Sequence, residues 1–243
     1  MRLVWASHGG FGREGIVDRN VMAVAAHPSD VACNAGGTLG HLIEEGARVV
    51  LFLCSDDACG PGAGREAAST RREETERAAE VLGVREVVWG DVPNGGVKAA
   101  EPLLRSLVRE IRRNRIDLVL APDPTTLWRR RNSVVRLAHA DHIEAGRAVL
   151  DAIHPRAGIP RFYPELTAEG IHPWLVHELW LFDTESPDHF VSVASTWELK
   201  LAALSCHASQ IAVRLIEEVT AEAEALREHS GARSEGFRRL CLL

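Results

Sequence analysis

Short apolar runs alternate along this chain with longer stretches in which apolar residues recur every three or four positions. The runs predict buried strands at 21–26, 49–53, 86–89, 118–121 and 174–182. The periodic stretches predict helices at 36–46, 70–82, 101–114 and 141–153, and one or two helices within 196–228. Strands that alternate with helices of about ten or more residues are typical of parallel βαβ units. The pattern therefore predicts an α/β fold, with helices on both faces of a doubly wound, mostly parallel sheet.

Local signals mark several of these boundaries. Thr70 and Glu73 have the spacing of a capping box, which predicts a helix start at Thr70. Gly46 and Gly83 follow predicted last helical turns, where glycine is favoured. Residues 1–20 are predicted to form an irregular lead-in, and no internal repeat or linker divides the rest. We therefore expect a single domain over residues 1–243.

The composition is that of an ordinary globular protein, with 46% hydrophobic and 26% charged residues. A net charge of −6 argues against a general nucleic-acid partner, and no apolar stretch approaches the roughly 20 residues that span a bilayer. The N-terminal residues lack the features of a signal peptide, and the five cysteines contain no Cys-x-x-Cys pair. We therefore expect a cytoplasmic protein with reduced thiols and no nucleic-acid or membrane partner; a homo-oligomer is compatible with these features.

Polar residues collect directly after the predicted strands. In chain order they are His27 and Asp30; Ser55, Asp56 and Asp57; Asp91; Asp123; and then His139, Asp141 and His142. In open α/β sheets, ligands bind outside the carboxyl ends of the strands, and all of these residues fall on that edge. The sequence therefore predicts one polar site there.

Two histidines and one carboxylate from this cluster suit a zinc ion, and three protein ligands leave a fourth position for water. Such a site lowers the pKa of bound water to about 7 and supplies a hydroxide nucleophile. Single residues also have simpler interpretations. His27 can be a strand-end histidine bonded to a backbone carbonyl, and Asp141 can be the N-cap of the following helix even where His142 binds a metal.

Five separated motifs resemble those of a known family. Ala26-His27-Pro28-Ser29-Asp30, followed by Gly36-Gly37-Thr38-Leu39, resembles the Ala-His-Pro-Asp-Asp…Gly-Gly-Thr-Leu opening of the LmbE-like (PIG-L) deacetylases. The similarity continues, in order and at matching spacing, at Arg71-x-x-Glu74…Ala78-Ala79-x-x-Leu82-Gly83, Ala121-Pro122, His139-Ala140-Asp141-His142 and Lys200…His207-x-Ser209-Gln210. It covers residues 21–240, and the chain is identified as a member of this family.

The resemblance implies a Rossmann-like fold, a divalent metal ion that is usually Zn²⁺, and hydrolysis of an N-acyl group. The implied substrate is a small N-acylated amino sugar or a related thiol-conjugate amide. Carried over by position, the metal ligands are His27, Asp30 and His142. The implied catalytic pair is His139, which stabilises the oxyanion, and Asp141, which orients it and keeps it protonated. Arg71 matches a substrate-binding arginine, and the loop residues Asp56 and Asn94 are further predicted substrate contacts.

One position departs from the family pattern. Ser29 occupies the catalytic position of the aspartate that takes a proton from the metal-bound water. General acid–base assistance is worth about 10²–10⁴-fold, so the standard mechanism should be weakened strongly. Either His139, Asp56 or Asp57 supplies the base, or the substrates are easier, or the metal site is retained only for binding.

Two hypotheses of different classes follow. The first is a metal-dependent amide hydrolase, favoured because all three ligands and the His139–Asp141 pair are present. The second is a catalytically silent or repurposed metal- or sugar-binding member of the family, favoured by Ser29. A nucleotide-binding protein is disfavoured because the glycine fingerprint of that class is missing.

Several other features have competing interpretations. Gly36-Gly37-Thr38 can approach an anion or allow close packing, and packing is favoured. The arginines at 129–131 either line an entrance for an acidic substrate or form a solvated loop. The loops 56–66, 123–136 and 155–175 are expected to line the pocket. Side chains expected to be structural are His207 and Gln210, with hydrogen bonds beneath the site, and the buried thiols Cys33 and Cys54.

Overall fold

The computed structural model describes residues 19–55, 65–131, 134–210 and 213–242. Residues 1–18 of the predicted lead-in lie outside the described residues. Asp56 and Asp57 lie outside them too. The strands of the described part are Asn20–Ala25 (β1), Arg48–Ser55 (β2), Glu86–Val92 (β3), Leu118–Pro122 (β4), Trp128–Arg131 (β5), Val134–Leu137 (β6), Glu178–Phe182 (β7), His189–Ser192 (β8) and Ser234–Cys241 (β9).

Seven of these strands form one sheet in the order β3-β2-β1-β4-β7-β9-β8. The first five of that order run parallel, and β9 pairs antiparallel with both β7 and β8. The predicted α/β class and mostly parallel sheet are confirmed. The sequence pattern missed β8 and β9, because both strands mix charged and polar residues into short segments that have no continuous apolar run.

The α-helices of the described part are Asp30–Glu44 (α1), Arg65–Leu82 (α2), Glu101–Asn114 (α3), Ala140–Asp151 (α4), Pro164–Ala168 (α5), Trp197–Cys206 (α6), Val213–Ala225 (α7) and Arg227–Ser230 (α8), and a short π-helical segment, Ala152–Ala157, follows α4. They cover both faces of the sheet. In β1, Met22 and Val24 face the layer that contains α3 and α4, whereas Val21 and Ala23 face the layer that contains α1. Because both faces of the strand are buried, its sequence is apolar without alternation.

Helix α1 begins at Asp30, six residues before its predicted start. The glycines that suggested a helix start lie in its middle, where they allow close packing. A Cβ at Gly37 would lie 2.6 Å from Val193 Cγ1, and one at Gly40 would lie 2.7 Å from Leu199 Cδ2. The backbone N–H of Gly37 donates to the Glu235 carboxylate instead of facing a ligand. The packing interpretation is therefore confirmed.

Another predicted boundary is wrong. Helix α2 begins at Arg65, so the Thr70 hydroxyl lies inside the helix and donates to the Glu66 carbonyl instead of capping. The stretch 196–228, predicted to form one or two helices, contains α6 and α7 and the first residues of the short α8. A local pattern such as a capping box cannot exclude an earlier start when the preceding residues are also helix formers.

Residues 155–175 lie at the opposite edge of the sheet from the predicted site. The Trp174 indole N–H donates to the carbonyl of Ile116, just before β4, and Arg112 of α3 donates to the carbonyl of Ala157. The prediction that this segment lines the pocket is therefore wrong.

Among the described helices, none is both long and apolar enough to cross a membrane.

Candidate active site

The polar residues of the site lie on the segments that follow the carboxyl ends of β1 and β4. His27 lies two residues after the end of β1, and Asp30 begins α1. Asp30 Oδ2 accepts a hydrogen bond of 2.8 Å from the backbone N–H of His27, which fixes the carboxylate beside the histidine. The first turn of α4, which is reached after β4 and the β5–β6 hairpin, supplies His142.

Three side-chain atoms meet at one point. His142 Nε2 lies 3.2 Å from Asp30 Oδ2 and 3.3 Å from His27 Nδ1, and the last two atoms are 3.7 Å apart. Zinc bonds of about 2.1 Å in a tetrahedral arrangement hold neighbouring ligand atoms roughly 3.4 Å apart. The donor set and its spacing therefore fit a single divalent ion at this point.

Each of these histidines has a second carboxylate behind it. His27 Nε2 lies 3.1 Å from Asp141 Oδ2, which also accepts a 2.6 Å hydrogen bond from the backbone N–H of Gly95. His142 Nδ1 lies 3.5 Å from Asp183 Oδ2. Carboxylates in this position commonly orient metal-binding histidines.

A second set of residues, His27, His139 and Asp141, also brings its ligand atoms within 4.8 Å of one another. It shares His27 with the first set, so the two sets do not describe independent sites. The Asp141 carboxylate is already held by Gly95 and by His27 Nε2, whereas His27 Nδ1 points to the first set. We therefore regard His27, Asp30 and His142 as the better candidate.

The electrostatics of the site favour positive charge at its centre. Burial alone would raise the pKa of Asp30, but the attraction of His142 and His27 and their hydrogen bonds lower it to about 2. Burial would lower the pKa of His142, but Asp30 and Asp183 raise it to about 10. The pKa of Asp183 is lowered because His142 and Arg129 outweigh the effect of its burial. Carboxylates that stabilise a cation in this way also suit a metal ion.

Two of the three ligand residues, Asp30 and His142, line a cavity of about 350 Å³. Ser29, Asp30, His139 and His142 line its floor, and side chains of the β5–β6 hairpin and of α7 line its wall. The hairpin is tied to α7 by Arg136, whose guanidinium donates two 2.8 Å hydrogen bonds to Glu218. The cavity is therefore a cleft with a polar floor at the carboxyl edge of the sheet.

Comparison with known proteins places these features in a family. The family model PIG-L, described as GlcNAc-PI de-N-acetylase, matches residues 22–153. A diacetylchitobiose deacetylase of Thermococcus kodakarensis is 31% identical over 196 residues, which cover 79% of this chain and 70% of that protein. This chain belongs to the PIG-L family.

Solved structures share the fold. The N,N′-diacetylchitobiose deacetylase from Pyrococcus horikoshii is 26% identical with a TM-score of 0.83, over 92% of this chain and 84% of that chain. The 4-carboxy-2-hydroxymuconate hydratase from Pseudomonas putida KT2440 is 23% identical with a TM-score of 0.75, over 93% of this chain and 97% of that chain. The predicted membership of the PIG-L family is confirmed.

The remaining predicted site residues of this PIG-L chain occupy different settings. Ser29 lines the cavity, whereas Arg71 is buried in α2 and Asn94 lies in the turn after β3. Neither of the last two is among the described residues that line the cavity. Asp56, the third predicted substrate contact, is outside the described residues. The roles of all of them stay predictions.

His139 is not paired with the Asp141 carboxylate, as had been expected. It is the N-cap residue of α4, and its Nδ1 accepts a 3.2 Å hydrogen bond from the backbone N–H of Asp141. The Asp141 carboxylate contacts His27 instead. Burial and the nearby His27 lower the pKa of His139, and the attraction of Asp141 does not compensate. The expectation that Asp141 keeps His139 protonated is therefore corrected.

The arginines at 129–131 form β5, so the predicted solvated loop is wrong. Arg129 donates hydrogen bonds to Asp183 and to Glu222 of α7, and its Nε lies 3.7 Å from Glu185 Oε1. Its charge is therefore matched by carboxylates of the protein, which argues against its predicted role in attracting an acidic substrate. The side chain of Arg130 is exposed.

The expected structural residues beneath the site are only partly as predicted. Cys33 and Cys54 are thiols whose pKa is raised by burial, to about 12 for Cys33, which supports their packing role. His207 is fully buried, but neither of its ring nitrogens has a hydrogen-bond partner within the described ranges. The predicted hydrogen bonding is found at Ser209 instead, whose hydroxyl donates to Glu74 at 2.6 Å.

Sequence reasoning missed Asp183. The predicted strand ended at Phe182, as observed, but the next residue received no role. The available signal was its position, because it lies just after the end of a parallel strand and His27 lies within two residues of another such end. Asp123, which also follows a strand, instead accepts hydrogen bonds from Thr125 and Thr184 and so stabilises its own loop.

Proposed function

We propose that this chain hydrolyses the N-acyl amide of a small amino sugar, or of a related glycosylated or thiol-conjugate metabolite. Membership of the PIG-L family makes it a metal-dependent, deacetylase-like hydrolase of amide bonds. The observation that carries the finer proposal is the approach of His27 Nδ1, Asp30 Oδ2 and His142 Nε2 to within 3.2 to 3.7 Å of one another, beside a cavity that Asp30 and His142 line.

We assign the metal ligands to His27, Asp30 and His142, and we favour Zn²⁺ over other divalent ions. Imidazole and carboxylate are common zinc ligands, and three protein ligands are typical of catalytic zinc. When bound, such an ion polarises a carbonyl oxygen and activates water at neutral pH. The carboxylates behind the two histidines would hold the rings in a ligating orientation.

We assign oxyanion stabilisation to His139. Its Nδ1 accepts from the Asp141 backbone N–H, so a neutral ring carries its proton on Nε2. A neutral imidazole can then donate to the negative charge that develops on the amide oxygen. Loss of one such donor typically costs about 10²–10³-fold in turnover.

The base is the part of the mechanism that Ser29 alters. A serine hydroxyl is not a base near neutral pH, and Asp141 and Asp183 are both held behind histidines. In the tautomer described above His139 has no free lone pair to accept a proton. We therefore assign proton removal from water to Asp56 or Asp57, which follow β2 in the sequence. Ser29→Asp tests whether the site lacks a base at position 29 or whether one of these other groups already removes the proton.

A second candidate function is a repurposed or catalytically silent PIG-L member that binds a metal or a sugar. Ser29, which lines the cavity without a carboxylate, is the observation in its favour. The hydratase from Pseudomonas putida is a solved structure of this fold whose name describes another reaction. A protein of this second kind would bind an N-acetylated sugar without releasing acetate.

Acetate release tests the two candidates. Metal-stripped protein and protein reloaded with Zn²⁺ would be incubated with N-acetylglucosamine, N,N′-diacetylchitobiose and an N-acetylated thiol conjugate. We expect metal-dependent acetate and amine in equal amounts from at least one of them. Binding of a sugar, measured by calorimetry, with no product from any of them would favour the second candidate.

A further inference from the structure

Asp183 lies at the junction between the sheet and the cavity. It follows the last residue of β7, has a backbone φ of 56°, and its side chain is 20% exposed. Its two carboxylate oxygens contact different groups. Oδ1 accepts a hydrogen bond from Arg129, and Oδ2 lies 3.5 Å from His142 Nδ1.

The two ring nitrogens of His142 have opposite surroundings. Nε2 faces Asp30 and His27, the other proposed ligands. Nδ1 is buried and has no hydrogen-bond partner within the described residues, although Asp183 Oδ2 faces it. A separation of 3.5 Å is a few tenths of an ångström longer than an ordinary N–H···O hydrogen bond. A small approach of the two groups completes this bond.

We propose that Asp183 is a positioning residue of the metal site, which accepts the Nδ1 proton of His142 and so presents the lone pair of Nε2 to the ion. This inference rests on the proposed metal site. The tautomer of a ligating histidine is set by the hydrogen bond of its other nitrogen. Residues in this position typically contribute 10- to about 100-fold to metal affinity.

Arg129 holds Asp183 in place for this role. Its guanidinium binds Oδ1, so Oδ2 is left to face His142. The same guanidinium also binds Glu222 of α7. The orientation of a metal ligand is thus connected, through one carboxylate and one arginine, to the hairpin and the helix that form the cavity wall.

The competing explanation is that Asp183 only fastens Arg129, and with it the hairpin, to the sheet. Glu222 separates the two explanations because it binds the same arginine from α7, whereas Asp183 Oδ2 is the oxygen that faces His142 Nδ1. Glu222→Gln is therefore the matched control for Asp183→Asn. Asparagine tolerates a positive φ better than most residues, so Asp183→Asn preserves the backbone.

The test measures zinc affinity of the full chain by competition with a chromophoric chelator. We expect Asp183→Asn to raise the Kd for Zn²⁺ by 10- to about 100-fold, because the residue that faces the ligand His142 is changed. Glu222→Gln should change the Kd by less than about threefold, because Glu222 acts on the site only through Arg129. The visible spectrum of the Co²⁺-loaded protein should change in Asp183→Asn and remain that of the wild type in Glu222→Gln.

Equal zinc affinities and Co²⁺ spectra for the two variants would overturn the inference. If Asp183→Asn does not fold, Arg129→Gln decides the question, because it releases Asp183 without removing it. Weaker zinc binding in Arg129→Gln than in Glu222→Gln supports the inference, and equal binding overturns it. A wild-type protein that binds no divalent ion would instead contradict the proposed function itself.

Discussion

The two ends of β7 carry partly or fully buried carboxylates in different settings. Glu178, the first residue of the strand, accepts hydrogen bonds from Arg19, Arg239 and the Trp180 indole. Asp183, the residue after the end of β7, binds Arg129 and faces Nδ1 of His142. Both carboxylates have a lowered pKa, which is about 2 for Glu178.

The difference lies in the partners. At the amino end, the partners of Glu178 in the described part of the chain are two arginines and an indole. They join β7 to β9 and to the residue before β1. At the carboxyl end the partner is a histidine whose second nitrogen meets two further ligand atoms. A lowered carboxylate pKa alone therefore does not identify a functional site; the chemistry of the partner does.

The largest expected effect is at the carboxyl end. His142→Ala should abolish tight binding of the divalent ion and all metal-dependent turnover, because it removes one of three ligands. Equilibrium dialysis followed by elemental analysis measures the bound metal. His177→Ala, at the other edge of the sheet, is the control and should retain it. Full metal occupancy in His142→Ala would make the ligand assignment wrong.

Restoring the missing acid should produce the next largest effect. Ser29→Asp is expected to raise turnover of an N-acetylated sugar by up to about 10²–10⁴-fold, the range for a general base. Ser29 is also the N-cap of α1, without a side-chain cap hydrogen bond. Ser29→Asn is therefore the control, because asparagine caps a helix as well as aspartate does but cannot accept the proton.

Initial rates of acetate release distinguish the outcomes for Ser29. A gain in Ser29→Asp alone supports a vacant base position. No gain, with a substrate shown to bind, would mean that another group already removes the proton.

His139→Ala is expected to lower turnover by about 10²–10³-fold, because a donor to the oxyanion is lost. Its metal content should equal that of the wild type, since His139 lies outside the proposed ligand set. Steady-state kinetics and elemental analysis on the same sample test both statements. Loss of the metal in this variant would move His139 into the ligand set, and unchanged turnover would remove its catalytic role.

The smallest functional effect is expected at the amino end. Glu178→Gln should leave metal binding and turnover unchanged and lower the free energy of unfolding by about 1–3 kcal/mol, since charge-assisted hydrogen bonds are lost. Urea denaturation measures this difference. A change in metal affinity in Glu178→Gln would contradict the separation of the two ends.

The pH dependence of that difference has a definite sign. The pKa of Glu178 is lowered on folding, to about 2, because its hydrogen bonds from Arg19, Trp180 and Arg239 outweigh its burial. Its stabilising contribution is therefore complete above the unfolded value of about 4.3 and is lost as the pH falls toward 2. The stabilities of wild type and Glu178→Gln should converge over that range.

The sequence predicted the proposed ligands better than their surroundings. His27, Asp30 and His142 lie next to strand ends and helix starts, where local patterns are informative, and the family motif includes all three. The position of Asp183 after a strand marks it as a candidate, but its proposed role depends on the approach of residues 142 and 183, which no local pattern predicts. The β5–β6 hairpin was missed because its strands have only four residues each and carry four arginines between them.

The sequence also did not predict which histidine the Asp141 carboxylate contacts. The resemblance to the family paired Asp141 with His139, two residues away. In the folded chain α4 directs that carboxylate to His27 and to the Gly95 backbone. Such choices are made by tertiary packing, which decides among several acceptable local partners.

The most direct test is to titrate metal-stripped wild-type protein with Zn²⁺ while following acetate release from N,N′-diacetylchitobiose. We expect activity to rise linearly and to saturate at about one ion per chain, because the three ligand atoms define one site. Acetate release that does not depend on added or residual metal would contradict the account, as would a chain that fails to retain any divalent ion.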